Sequence, residues 1–242
     1  MKIKVISSGS KGNATLINYN NINILIDAGI PLKKLEEKNK EEIKNIDIII
    51  ITHVHDDHIK GLNSYIKKFN PLIITKSEEL TDKTQSTNII NTDNYLINDL
   101  EINLFNLSHD VKCSGVSIKE TKEIIYITDT GYINKNILEE IKNKDLYIIE
   151  SNHDVNMLRK SKYPFYLQQR ILGDRGHLSN EDCSKYIEKI IGDNTKNIIL
   201  AHLSEENNNQ ELAYKTTYEK IKDKEINLLI ARQDIALDWI EI

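Results

Sequence analysis

Short runs of Ile, Leu and Val, each closed off by Asn, Asp or Gly, recur along the whole chain, and this feature restricts its possible folds most severely. They occupy residues 3–6, 14–17, 22–26, 48–52, 72–75, 100–107, 124–128, 146–150, 198–201 and 228–231. Apolar runs of four to eight residues between turn formers suit strands, so about ten strands are expected. Helical spacing fills the intervals at residues 31–44, 58–69, 136–141, 155–159, 164–172, 180–191 and 210–221. Asn20-Asn21 reads as a hairpin turn, and Ser179 ahead of Asn180-Glu181-Asp182 reads as a helix N-cap with acids in the first turn. Strands dominate the first hundred residues and helices become denser after residue 135, which predicts α/β layering around two sheets. With 3 prolines and no Ser/Gly-rich tract nothing marks a linker, and residues 1–242 read as one domain.

Charge excludes some functions. With 32 Lys+Arg against 37 Asp+Glu the formal charge is -5, so bulk positive charge does not hold a nucleic acid, although a local basic patch or a bound cation reverses the sign at one site. No apolar run is long enough to cross a bilayer, and the start MKIKVISSGS lacks the charged, apolar, small order of a signal peptide. A cytoplasmic location and no membrane partner are expected; the oligomeric state is not legible. Cys113 and Cys183 form at most one bridge and no CxxC pair, so thiol chemistry is not expected.

Histidine placement is the strongest chemical signal. His53, His55 and His58 follow the run Ile48-Ile49-Ile50-Ile51-Thr52, and His202 follows Ile198-Ile199-Leu200-Ala201. Strand ends are where α/β enzymes display working groups. In Thr52-His53-Val54-His55-Asp56-Asp57-His58 the period-2 spacing points His53 and His55 to one side, while Asp57 and His58 belong to the turn into the next helix. Imidazoles and a carboxylate packed this closely suit a divalent cation such as zinc or manganese. They can saturate one closed structural site, but diverging directions favour two metals, each completed from elsewhere. His109, Asp129 and His202, each at a strand exit, are the completing candidates. Singly each reads as a turn, cap or core residue; jointly the pattern gathers five of the seven histidines into one assembly.

These residues resemble the metallo-β-lactamase fold superfamily, whose HxHxDH signature is matched by His53, His55, Asp57 and His58, and whose later ligands are matched by His109, Asp129 and His202. The segments Ser8-Gly9-Ser10-Lys11-Gly12-Asn13, Leu25-Ile26-Asp27-Ala28-Gly29, Glu150-Ser151-Asn152-His153-Asp154 and Gly176-His177-Leu178-Ser179-Asn180 are similar to its YycJ/WalJ-type branch of nuclease-like hydrolases. Lys11 and Asp56 depart from the small Ser common there and touch no ligand position. The resemblance implies an αββα sandwich of two mixed β-sheets with outer helices. It also implies two divalent metal ions (Zn2+ or Mn2+), one held by His53, His55 and His109 and the other by Asp57, His58 and His202, with Asp129 bridging. The implied activity is phosphodiester hydrolysis, in the first instance by a DNA exonuclease. Hydrolysis of a thioester or a cyclic ester or amide on the same centre is the alternative, and a non-catalytic metal-dependent protein is a third.

Two cations roughly 3.5–4 Å apart lower the pKa of a shared water from 15.7 to about 7 and neutralise a phosphodiester, which reconciles an acidic chain with a nucleic acid substrate, DNA first. Asp57 is a candidate to orient that water and accept its proton. His177 is either a hydrogen-bond support for a ligand or a functional group that contacts a substrate phosphate or, as catalytic acid, protonates the leaving oxygen, and His153 is open in the same way between support and substrate contact. Arg170, Arg175 and Ser179 are candidate substrate contacts, since fixed positive charge beside a helix start favours an anion. Glu150 is expected to support a ligand. The loop 7–13 reads equally as an anion-binding run of amides or as an ordinary tight turn.

Overall fold

The computed structural model describes residues 1–39 and 44–242. Within them the chain divides into two compact units, residues 1–95 with 231–242, and residues 96–230. Each is built on a seven-stranded mixed sheet flanked by helices.

The sheet of the first unit has the order β14-β1-β2-β3-β4-β5-β6, formed by β1 (Lys2–Ser7), β2 (Ala14–Tyr19), β3 (Ile22–Ile26), β4 (Ile48–Ile51), β5 (Leu72–Thr75), β6 (Ile89–Asn91) and β14 (Ile240–Glu241). β1 runs antiparallel to both β14 and β2, and β2 to β3, whereas β3 to β6 are parallel. The hairpin between β2 and β3 turns on Asn20 and Asn21 at φ 46° and 67°, the left-handed pair that matches strand twist. Four isoleucines make up β4 and all are buried, as expected of a parallel strand covered on both faces. Crossovers carry α1 (Leu32–Asn39), α2 (Asp56–Ile59), α3 (Leu62–Phe69) and α4 (Leu80–Lys83). Leu35, Tyr65, Leu25 and Ile49 join one core, each buried side chain contributing about 1.5–3 kcal/mol. Residues 231–242 close this unit: Ser7 Oγ donates to Gln233 O (2.6 Å), Lys11 N to Gln233 Oε1 (3.0 Å), and Leu237 N to Val5 O (2.9 Å).

The second sheet has the order β13-β12-β11-β10-β9-β8-β7. Its strands are β7 (Asn94–Ile97), β8 (Leu100–Leu107), β9 (Cys113–Lys119), β10 (Glu123–Ile127), β11 (Leu146–Glu150), β12 (Asn197–Ala201) and β13 (Asn227–Ile230). β8, β9 and β10 form an antiparallel meander, and β10 to β13 are parallel. Parallel neighbours need crossovers, here supplied by α5 (Lys135–Glu140), then α6 (Val155–Lys160), α7 (Phe165–Leu172) and α8 (Asn180–Ile190), then α9 (Gln210–Ile221). Ser179 caps α8, its Oγ accepting from Asp182 N at 3.1 Å, as expected. Ile149, Leu200, Ile187 and Ile221 pack in this unit's core. Both cysteines are buried and unbridged.

All ten expected strands exist, but β6, β7, β9 and β14 were not read from the sequence. β9 is interrupted by Ser and Gly, which hides its apolar pattern. It lies between β8 and β10, and a Cβ on Gly115 would lie 2.3 Å from Phe105 Cε2 on the neighbouring strand, so the ring occupies the space a side chain would take. The helix expected at 58–69 is two, α2 and α3. Between them Gly61 N donates to Ala28 O (2.8 Å), and a Cβ on Gly61 would stand 2.1 Å from Ile30 O. Of the helix expected at 31–44, α1 covers Leu32–Asn39, and residues 40–43 lie outside the described residues. No helix among the described residues is long and apolar enough to cross a membrane.

Candidate metal centre

In the first unit the parallel pairing of β3 and β4 brings Asp27 and Thr52 out at the same sheet edge. Asp27 leaves β3 in the left-handed region, φ 60°, where Asp, Asn and His are the tolerated residues besides Gly. Its fully buried carboxylate accepts from Thr52 N (2.9 Å) and Thr52 Oγ1 (3.0 Å), and lies 2.7 Å from His58 Nδ1. The carboxylate makes Nδ1 the protonated nitrogen of His58 and leaves Nε2 as the lone-pair donor. That Nε2 is 3.4 Å from Asp57 Oδ2, and His53 Nε2 is 3.1 Å from His55 Nδ1, so His53 and His55 do share a side. Asn13 fastens the group from behind: its Nδ2 lies 3.2 Å from Asp57 Oδ2 and 3.0 Å from His58 Nε2.

The loop 7–13 is thereby accounted for. The amides of Ser8, Gly9, Lys11, Gly12 and Asn13 all donate within the unit, to Arg232 O, Asn13 Oδ1, Gln233 Oε1, Gly9 O and Asp57 O. The loop is a buttress for the histidine cluster, not an anion cradle. Gly29 closes the same packing, since a Cβ there would fall 1.7 Å from Asp57 O.

In the second unit three parallel strands end together in Asp129, Glu150 and His202. Asp129 and His202 again take left-handed backbone, φ 61° and 55°, and Asn152 Nδ2 holds His202 O at 2.9 Å. Glu150 has 0% exposure and is ringed by donors: Nδ1 of His177 and of His202, each at 2.8 Å from Oε1, and the amides of Leu178 (3.0 Å) and Thr130 (3.2 Å) at Oε2. Burial opposes its charge, but the His177 charge and the hydrogen bonds from His177 and His202 overcome this and hold the carboxyl below its ordinary range. His177 moves the other way. Burial disfavours its charged form, and the Glu150 carboxylate more than compensates, so the imidazole keeps its proton to higher pH. One donor atom from each of Asp129, Glu150, His177 and His202 lies within 4.8 Å of the others. His109 Nδ1 is 3.3 Å from Gly176 O and its Nε2 is 3.2 Å from Asp110 Oδ1; burial lowers its proton affinity.

The remaining candidates occupy distinct places. Arg170 pairs with Asp110 at 2.8 Å, and Arg175 is exposed. Ser179 is 3% exposed and its hydroxyl is engaged in capping α8, donating to Asp182 Oδ2 (2.7 Å). His153 is 1% exposed, bridged to Ser179 through the backbone, and its ring nitrogens meet no hydrogen-bond partner among the described residues. Neither Ser179 nor His153 presents a surface to a substrate, which corrects the expectation that they touch one. Asp27, Thr52 and Asn13 received no role from the sequence. The available signal for Asp27 was an acid closing an apolar run just before Ala28-Gly29.

The donor chemistry fits divalent cations. Ligand atoms 2.0–2.1 Å from one tetrahedral zinc lie roughly 3.3 Å apart. Separations of 3.1 Å for His53–His55 and 3.4 Å for Asp57–His58 match that spacing without further adjustment. His58 and His202 are each oriented by a buried carboxylate on Nδ1, the arrangement that directs an imidazole at a metal. The Beta-lactamase superfamily domain matches residues 22–203. The chain belongs to the β-lactamase superfamily. Within this superfamily it is 33% identical over 244 residues to the exodeoxyribonuclease WalJ of Streptococcus pneumoniae, covering 94% of this chain and 90% of that one. It is also 33% identical over 238 residues to the exodeoxyribonuclease YycJ of Bacillus anthracis, covering 93% and 90%. The metallo-β-lactamase fold protein YhfI from Bacillus subtilis superposes with a TM-score of 0.72 at 17% identity, covering 98% of this chain and 99% of that one. The fold is therefore the expected one. This superfamily is hydrolytic, the chain is a hydrolase of it, and the fold implies use of divalent metal.

Proposed function

We propose that this superfamily member is a phosphodiesterase with two divalent metal ions, zinc or manganese, acting as a DNA exonuclease over one hydrolase domain, residues 1–242. His53, His55 and His109 would hold one ion, Asp57, His58 and His202 the other, and Asp129 both. The ions supply Lewis-acid activation of water and charge neutralisation of the phosphate. The protein supplies the proton transfers. Asp57, half-buried at the start of α2, orients the attacking water and accepts its proton. His177 delivers a proton to the departing deoxyribose oxygen as the phosphorus–oxygen bond breaks, giving a phosphate monoester and a free hydroxyl.

The observation that carries this reading is the Glu150–His177 pair at 2.8 Å, in which a buried carboxylate holds a partly exposed imidazole beside Asp129 and raises its proton affinity. An alkoxide leaving group needs such an acid, whereas a thiolate departs without one. The names of the relatives, exodeoxyribonucleases at 33% identity, support DNA as substrate. Arg170 and Arg175 are proposed as substrate-side charges, with His153 and Ser179 steadying the start of α8 behind His177.

Purified protein loaded with zinc or manganese and given end-labelled DNA and RNA is the test, beside Asp129→Ala and His177→Ala. Stepwise loss of the label from DNA is expected in the unaltered protein and is abolished by Asp129→Ala. His177→Ala is expected to lower kcat by about 10²–10⁴ while retaining its metal. Cleavage that persists in both variants, or turnover of a thioester with bis(p-nitrophenyl) phosphate untouched, overturns the reading.

A further inference from the structure

Between β11 and α8 the second unit carries a segment unlike the rest of the chain. Residues 155–176 hold five basic side chains (Arg159, Lys160, Lys162, Arg170 and Arg175) against Asp174 alone, in a protein whose overall charge is -5. α7 within it has no buried residue. At its start stand Phe165 and Tyr166, 76% and 75% exposed, more than any other exposed large hydrophobic among the described residues. Two adjacent aromatic rings left in water beside concentrated positive charge form a recognition surface, not a fragment of core.

The far end of α7 is tied to the candidate centre of its own unit. His177 N donates to Ile171 O (3.0 Å), His109 Nδ1 lies 3.3 Å from Gly176 O, and Arg170 pairs with Asp110 next to His109. A Cβ on Gly131, two residues past Asp129, would stand 2.3 Å from Asp174 O, so the backbones are in direct contact there. The 8 residues of α7 span about 12 Å, the length of three to four stacked nucleotides at about 3.4 Å each.

We propose that this segment is a docking surface for the single-stranded end of a DNA substrate, with Phe165 and Tyr166 stacking on bases and Arg159, Lys160, Lys162 and Arg175 binding phosphates. It rests on the phosphodiesterase reading and adds to it that the substrate is engaged as an unpaired strand several nucleotides from the reacting bond. Bases offer their faces to aromatic side chains only when unstacked, and such stacking tolerates any sequence. Tyr214 and Tyr218 on α9 provide the contrast. They stack at 5.7 Å, but Glu211 and Glu219 balance Lys215 and Lys220 around them, so the pair lacks the charge that a phosphate chain requires.

The test is fluorescence anisotropy of a labelled, hydrolysis-resistant phosphorothioate oligothymidylate with the full-length, metal-loaded protein over a series of salt concentrations. Phe165→Ala with Tyr166→Ala is expected to raise Kd tenfold or more. Lys160→Glu with Lys162→Glu is expected to reduce the slope of log affinity against log salt by about 1.4. Tyr214→Ala with Tyr218→Ala leaves Kd unchanged, and all three variants keep the melting temperature of the parent. An unchanged Kd in the Phe165/Tyr166 variant overturns the proposal, as does loss of binding to phosphatidylglycerol vesicles with oligonucleotide binding intact. A protein that binds the oligonucleotide through this surface yet cleaves no DNA upholds the docking surface and removes the nuclease reading. DNA cleavage at unchanged KM without the two aromatic rings does the reverse.

Discussion

A carboxylate without solvent keeps its charge only when donors surround it, and Glu150 has two imidazoles and two backbone amides. Replacing it with Gln preserves shape and removes the charge. Glu150→Gln is expected to lower activity or metal affinity 10- to 100-fold, with the pH-rate profile of kcat losing its alkaline limb to lower pH as His177 gives up its proton earlier. Asp27→Asn isolates the corresponding role beneath His58, because Asn tolerates the same left-handed backbone. A chelator competition is expected to show 10- to 100-fold weaker metal binding. His153 answers to acid. Burial lowers its pKa from 6.5 to about 4, so the unfolded chain binds the proton first and the fold loses stability as pH falls from about 6.5 toward 4. His153→Gln in chelator-treated protein should flatten melting temperature against pH across that window. Of these residues, the HxHxDH cluster was legible because its donors are contiguous. The role of Asp27 was not, because its partner His58 is 31 positions away and the segment around it names no partner.

Elements were legible where one apolar run made one strand, as in β4 and β11, and illegible where neighbours supplied the burial. β9 shows the second case: its small residues break the apolar run, yet β8 and β10 cover both of its edges and the Phe105 ring fills the space over Gly115. α2 and α3 were read as one helix because helical periodicity carries no information about the carbonyls of Ala28 and Ile30 crowding Gly61. Backbone contact of this kind predicts intolerance. Gly29→Ala is expected to cost at least about 3 kcal/mol, since strand exit, loop and Asp57 carbonyl must all separate; loss of soluble protein or a sharply lowered denaturation midpoint is the readout. Caps predict a smaller effect. Asn209 accepts from Leu212 N at 2.8 Å at the start of α9, and Asn209→Ala should cost about 1 kcal/mol, a fall of about 2–4 °C in melting temperature.

At the scale of the molecule, the two sheets repeat one device: parallel strands ending in a residue with left-handed backbone that bears a buried acid or imidazole. Layering and class were readable from strand spacing, whereas the division into two units was not, because residues 231–242 return to the first of them from the far end of the sequence. If each ion binds only the folded chain, one at 100 times its Kd adds about 2.7 kcal/mol. Thermal melts with chelator, zinc and manganese should therefore differ by several degrees, and the ion giving the largest rise at equal concentration is the one the folded chain binds more tightly; identical melts in all three would contradict metal binding.

Gln233 and β14 also impose an order of events. As the polypeptide leaves the ribosome, residues 96–230 have emerged in full before Ser7 and Lys11 meet Gln233 and before Lys2 and Ile3 pair with β14. The loop that braces the histidine-rich turn after β4, although made early, gains its clasp on Gln233 only at the close of the unit's synthesis.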